Sequence, residues 1–177
     1  RTVSRKTATC KSFFKFLVQE DIVPENPAAN IPIPRTGKKA PASLSQDEIR
    51  QLLDAPSPDE PDYTRNKAIL AMLYGTGIRV SELIQIKGCD VSMNHPRHLL
   101  IHGKGGKKRH VPMIKQLGRV LADYTSKTGA FLPHNLDRPL FTNHSNNQFT
   151  RQGINHLLRK YAEMARTRDP SLIPADT

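Results

Sequence analysis

Residues 74–91 read YGTGIRVSELIQIKGCDV, and residues 103–113 read GKGGKKRHVPM. In the first stretch Gly75 and Gly77 end one apolar helical run, TRNKAILAMLYGTG, and a second short helix, RVSELIQI, begins at once. Arg79 therefore stands at a helix start, where its guanidinium, nearby backbone N–H groups and the positive helix end suit a phosphate oxygen. Glu82 lies about one helical turn further on, close enough to orient Arg79. In the second stretch glycines separate two short apolar runs, HLLIH and RHVPM, which predicts a β-hairpin. Lys104 falls at the hairpin tip, where an ammonium can protonate an alkoxide leaving group or clamp a phosphate. Its neighbouring glycines permit close backbone approach. The order is not that of a nucleotide-binding P-loop, because Gly-x-x-x-x-Gly-Lys-Ser/Thr is absent and a strand follows instead of a helix. Taken singly, Arg79 and Glu82 equally fit a surface ion pair, and GKGGKK a solvated basic turn.

The distribution of charge favours a polyanionic partner. The chain carries 27 Lys+Arg against 16 Asp+Glu, a formal charge of +11. Such a balance either attracts nucleic acid or simply confers solubility. No acidic residue lies between Asp90 and Asp123, while Arg97, Lys104, Lys107, Lys108, Arg109, Lys115 and Arg119 all do. That segment predicts a basic face. From Asp47 to Asp62, by contrast, six carboxylates meet only Arg50, so this part is expected to face solvent away from any phosphate. Cys10 and Cys89 have no metal-like spacing and suggest no disulfide framework, which fits a reducing cytoplasm. The apolar runs fall far short of the roughly 18 residues that a membrane span requires, and no signal-peptide pattern opens the chain.

Residues 2–19, TVSRKTATCKSFFKFLVQ, place Phe13, Phe14, Phe16, Leu17 and Val18 on a helical stripe, with Arg5, Lys6, Lys11 and Lys15 around it. The following IPIPRTGKKAPAS is rich in proline and predicts an extended linker that contains Lys38 and Lys39. A domain boundary is placed there, with residues 1–30 before the linker 31–42 and residues 43–177 after it. The second part opens on SLSQDEIRQLLDA, where Ser45 and Glu48 form a capping box ahead of an apolar helix. Two further amphipathic helices, IKQLGRVLADYTSKTG and FTRQGINHLLRKYAEMAR, flank the loop LPHNLDRPLFTNHSNN. The fold expected is mainly α with a small antiparallel β-sheet, either a hairpin or three strands.

The ordered set GTGIRVSEL, then GKGGKKRHVPM, resembles the tyrosine recombinase, or phage integrase, family in its Xer-like bacterial form. FFKFLVQEDIVPENPAANIPIPR is similar to the last helix of that family's core-binding domain and the linker after it. SLSQDEIRQLL looks like the opening of its catalytic domain. The resemblance runs along essentially the whole chain, and the joint order of the motifs is more specific than any one of them.

What the resemblance implies is DNA strand exchange through a 3′-phosphotyrosine, with release of a 5′-hydroxyl and no need of ATP, metal or cofactor. By the same resemblance Arg79 is the first catalytic arginine, Lys104 the lysine that protonates the leaving oxygen, and Glu82 a support for Arg79. Double-stranded DNA is the expected partner. Lys6, Lys11, Lys15, Lys38, Lys39, Lys107, Lys108 and Arg109 are candidates for its phosphates. The full-length protein is expected to act as a homotetramer on DNA, and a fragment as a monomer.

The family pattern continues with a His-x-x-Arg helix and a nucleophilic tyrosine. HLLR, residues 156–159, is not read as that motif, because a single residue separates Arg159 from Tyr161 where the family has several tens. Tyr63, Tyr74, Tyr124 and Tyr161 are read as core or surface residues instead. The sequence is accordingly expected to stop short of the second half of the site and to be unable to cleave DNA by itself. The alternative reading is a DNA-binding module or regulator derived from a recombinase, without catalysis.

Overall fold

The computed structural model describes residues 2–33 and 43–168, and of Lys104 the backbone alone. Lys38, Lys39 and most of the expected linker lie outside the described residues. Two compact units emerge, Arg1–Ala42 and Ser43–Thr177.

In the first unit α1 spans Thr2–Gln19, as the apolar spacing predicts. No residue of this helix is fully buried, and Phe13 and Phe16 of the expected stripe are each more than half exposed. The turn after α1 is built from local bonds. Asn26 Nδ2 donates to the Lys11 carbonyl at 3.2 Å, Asn26 Oδ1 accepts from Ala28 N–H at 2.9 Å, and Lys11 Nζ donates to the Ala29 carbonyl at 2.8 Å.

The second unit is mainly helical with a small antiparallel sheet, the class the sequence predicts. Its helices are α2 (Gln46–Leu53), α3 (Tyr63–Thr76), α4 (Val80–Gln85), α5 (Lys115–Thr128) and α6 (Arg151–Arg168). Strands β1 (Val91–Ser92), β2 (His98–His102) and β3 (Lys108–Pro112) pair antiparallel in that order. Among the described residues, no helix is long and apolar enough to cross a membrane.

Helix α3 is the centre of this unit. Its successive apolar residues leave no polar face, so Ala68, Ile69, Leu70 and Met72 are all buried. Helix α5 instead buries one stripe, Leu117, Leu121 and Tyr124, and α6 buries Ile154, Leu157, Tyr161 and Ala165. Strand β2 alternates, with Leu99 and Ile101 pointing into the core and the residues between them outward. Gly75 does not end α3, contrary to expectation. The helix continues to Thr76, and Gly77 alone takes the left-handed conformation, at φ 61°, that a helix terminus favours. Gly88 serves a different need, because a Cβ there would meet the Ala130 carbonyl oxygen at 2.7 Å.

The acidic stretch from Asp47 to Asp62 does not simply face solvent. Glu48 is buried and closes the predicted capping box with Ser45. Glu60 accepts from Lys160 Nζ and from the Tyr161 hydroxyl, while Asp62 pairs with Arg65. Carboxylates at helix starts and over a buried phenol are drawn into the packing by the donors they find there.

Tyr161 is wholly buried, and its hydroxyl is fixed on both sides. It accepts from Asn66 Nδ2 at 2.8 Å and donates to Glu60 at 2.8 Å. Asn66 in turn accepts from Arg65, whose guanidinium also donates to the Thr142 carbonyl and lies over the Phe149 ring. Burial and the Glu60 bond both raise the phenol's pKa above its ordinary value, so it remains a neutral donor. Replacing Tyr161 by Phe keeps the ring but removes the acceptor of the buried Asn66 amide and one of the donors to Glu60, which keeps Lys160. The expected result is a loss of about 1–3 kcal/mol in urea unfolding. A midpoint unchanged from wild type would show that the network contributes nothing to stability.

Candidate active site

Arg79 is the N-cap of α4, in extended conformation (φ −71°, ψ 150°), two residues after the left-handed Gly77. Of its side chain 78% is exposed. Glu82, by contrast, is buried, with only 8% of its side chain accessible. Its Oε2 accepts the Arg79 backbone N–H at 2.8 Å, and its Oε1 accepts Arg79 Nη1 at 3.2 Å. The amide expected to serve a phosphate at this helix start is thus already taken by Glu82.

A second guanidinium fills the rest of the carboxylate. Arg109 Nη1 donates to Oε1 at 2.8 Å, and Arg109 Nη2 donates to Oε2 at 2.9 Å. Each oxygen accepts two bonds, which is the full capacity of a carboxylate. The parallel pair is the strong bidentate form of the arginine–carboxylate contact. Arg109 bonding is the largest single cause holding the Glu82 carboxyl down at about 2, against an opposing push from burial. The two arginines and one carboxylate leave one net positive charge, on a cluster whose Arg79 and Arg109 side chains are 78% and 43% exposed.

The hairpin register explains this meeting. Arg109 stands directly opposite Ile101, so it shares the inward face of the sheet, whereas Lys108 opposite His102 and His110 opposite Leu100 turn outward. The outward His98 and His110 rings meet edge to face at 4.8 Å. At the other stem His102 Nε2 bonds to Asp90 Oδ1 at 2.8 Å, and Asp90 Oδ2 accepts the Lys87 N–H at 3.0 Å. Lys104 lies in the turn Lys104–Gly106, with Gly105 and Gly106 both at positive φ and Gly103 N–H closing onto the Lys107 carbonyl at 2.7 Å.

The structure thus joins Arg79, Glu82 and Arg109, and ties the strands on either side of Lys104 to buried carboxylates. Lys6, Lys15, Lys107, Lys108 and Arg109 are exposed, and Lys11 is half-buried and bonded to Ala29. The pairing of Arg109 with Glu82 and that of His102 with Asp90 were both missed in the sequence reading. The first had a signal: Leu99 and Ile101 alternate inward, and the residue facing Ile101 must follow them. Among the described residues, no group of three or more His, Cys, Asp or Glu side chains is arranged to hold a metal.

The sequence matches the phage integrase family over residues 42–172. It is 34% identical to tyrosine recombinase XerC of Bacillus pumilus (strain SAFR-032), over 93% of this chain and 55% of that protein. It is 36% identical to tyrosine recombinase XerC of Roseiflexus sp. (strain RS-1), over 92% of this chain and 53% of that one. The chain therefore spans about half the length of the curated relatives it matches. Among solved structures, the XerA recombinase superposes with a TM-score of 0.62 at 28% identity, over 85% of this chain and 51% of that one. The Tn1549 transposon integrase, solved in complex with circular intermediate DNA, has a TM-score of 0.75 at 16% identity over 98% of this chain and 60% of that chain, a likeness of fold.

The depressed Glu82 pKa gives the site a pH signature. A carboxyl lowered from 4.5 to about 2 stabilises the fold fully above 4.5, and that contribution disappears as pH falls toward 2. Thermal unfolding followed across this window is expected to show a flatter acid limb for Glu82→Gln than for the wild-type chain. Superimposable limbs would mean that the ion cluster does not form in solution.

Proposed function

Because the chain belongs to the phage integrase family of tyrosine recombinases, we propose that it forms part of a site-specific DNA recombinase. Such an enzyme integrates, excises or resolves DNA by cutting and rejoining strands through a 3′-phosphotyrosine. The observation that carries this reading is Arg79, an exposed guanidinium held at its base by a buried carboxylate beside a glycine-lysine turn. A scissile phosphate needs such donors, because the attacking and leaving oxygens place extra negative charge on its non-bridging oxygens.

In this reading a tyrosine phenol gives up its proton to a base and its oxygen forms a bond to phosphorus as the bond from phosphorus to the 5′-oxygen breaks. Arg79 stabilises the negative charge on the phosphoryl oxygens. Lys104 donates a proton to the departing 5′-oxygen, yielding a free hydroxyl, and Glu82 keeps Arg79 in place. The phosphodiester energy is retained in the phosphotyrosine, so no nucleotide is consumed. Residues 1–30 belong to a helical DNA-binding lobe, residues 31–42 to a linker, and residues 43–177 to the catalytic lobe. Lys6, Lys11, Lys15, Lys38, Lys39, Lys107 and Lys108 contact phosphates, and the full-length protein works as a homotetramer on DNA.

The nucleophile, the second arginine and the histidine of this chemistry are not assigned to any of the 177 residues. Two of the four tyrosines, Tyr124 and Tyr161, have hydroxyls bonded inside the core. These residues alone are therefore expected to bind a duplex but not to cleave it.

Binding to a labelled duplex, titrated across salt concentrations, is the direct test. Affinity should fall by roughly 0.9 log units per log unit of salt for each phosphate neutralised, and Arg79→Ala should lower the slope by about one phosphate. A flat salt response would overturn the assignment of DNA as partner. With a nicked suicide substrate no covalent adduct is expected from this chain. An adduct would place the nucleophile among Tyr63, Tyr74, Tyr124 and Tyr161.

A further inference from the structure

Arg109 lies in the basic run KKR, yet its surroundings differ from those of its neighbours. All three side chains are exposed, Arg109 to 43%, but no ion pair involves Lys107 or Lys108 among the described residues. Arg109 directs both terminal nitrogens onto the buried Glu82 carboxylate at 2.8 and 2.9 Å. Arg79 reaches the same carboxylate through one side-chain nitrogen, at the longer 3.2 Å. Two cations thus compete for one anion, and Arg109 holds the stronger, two-pronged share.

From this competition we propose that Arg109 is a positioning residue for Arg79. It occupies Glu82 so that the carboxylate steadies Arg79 without capturing it. The inference rests on the assignment of Arg79 as a phosphate-binding residue.

A carboxylate buried to this degree requires cationic or N–H partners for both oxygens. Without Arg109 the nearest cation is the Arg79 guanidinium, three residues away on the same turn. Arg79 would then fold back to satisfy both oxygens, which neutralises the charge and withdraws the donors that a DNA phosphate needs. With Arg109 in place, one Arg79 nitrogen anchors the group, and the remaining N–H donors point outward.

The same contact has a second consequence, because Arg109 belongs to β3 and Glu82 to α4. Their bond fixes the descending stem of the Lys104 turn to the helix that carries Arg79. His102 and Asp90 fix the ascending stem. The turn and the arginine are therefore referred to one frame, and β3 cannot shift without disturbing Glu82.

Lysine at position 109 separates this role from a plain phosphate contact. A lysine keeps the charge on β3 but cannot make two parallel N–H bonds to one carboxylate. Duplex affinity and its salt slope are measured for wild type, Arg109→Lys, Arg109→Ala, Arg79→Ala and the Arg79→Ala/Arg109→Lys pair, with thermal melts confirming folding. Arg109→Lys is expected to bind roughly tenfold more weakly than wild type, with a salt slope lower by about one phosphate. In the Arg79→Ala background the same change is expected to cost nothing further, since the effect passes through Arg79.

If Arg109→Lys binds like wild type, or its cost is undiminished when Arg79 is absent, the positioning role is wrong. In the first case Arg109 serves through charge alone. Should Arg109→Ala fail to fold, the lysine variant and its pair with Arg79→Ala complete the same cycle. A wild-type chain with no salt-dependent affinity removes the functional reading itself, and this role falls with it. That outcome is distinct from a wild type that binds while the lysine variant matches it.

Discussion

The second unit depends on one buried carboxylate. Glu82 sits at the start of a six-residue helix that has too few turns to be stable by itself. Its acceptor positions are filled by the Arg79 backbone, the Arg79 side chain and the Arg109 fork. An unpaired carboxylate at this depth would cost several kcal/mol, so the fold is held to arrangements in which a cation reaches it. That requirement sets the turn after Gly77, the entry of α4 and the placement of β3 together. A single anion thus joins elements separated by 27 residues in sequence.

The sheet decides which cations are held in this way and which remain outside. In an antiparallel pair, opposite residues share a face, and β2 fixes its inward face through Leu99 and Ile101. Arg109 shares the face of Ile101 and reaches Glu82 from it while 43% of its side chain stays exposed, and Lys108 and His110 take the opposite face. Had the register slipped by one residue, a lysine or a histidine would face Glu82 and Arg109 would join the solvent-facing row. Neither replacement offers a planar fork to the carboxylate. The short strands are therefore a device for sorting chemically similar side chains into two jobs.

Much of this was legible in the sequence wherever the signal is local. The Ser45–Glu48 capping box, the glycine-bracketed hairpin and the one-turn spacing of Arg79 and Glu82 are each set within a few residues, and the structure contains all three. Gly75 misled because glycine is only a weak helix breaker. Here α3 packs Gly75 against Leu117, which leaves the helix free to run one residue past it. The acidic stretch misled for a different reason. Composition reports its charge but not its partners, and Lys160 and Tyr161 lie about a hundred positions away from Glu60. Arg109 is exposed like the lysines beside it, but its bond to Glu82 was hidden because adjacency along a strand conceals the opposite faces that adjacent residues occupy.

The same pairing clarifies how a chain of net charge +11 concentrates its field. Two carboxylates flank the hairpin in space, Glu82 and Asp90, and both are buried and bonded to the stems instead of lying beside the turn. Between Asp90 and Asp123 the sequence supplies no other anion. Negative charge is thus used where it anchors strands and kept away from where it would neutralise Lys107, Lys108 and the outer face of Arg79. Anions among those cations would form exposed ion pairs worth little to stability while reducing the attraction for a phosphate backbone. Burial resolves the conflict. Inside, a carboxylate is needed to hold the frame, and because it is inside, low solvent exposure keeps it from competing with an external anion for the cations that face outward.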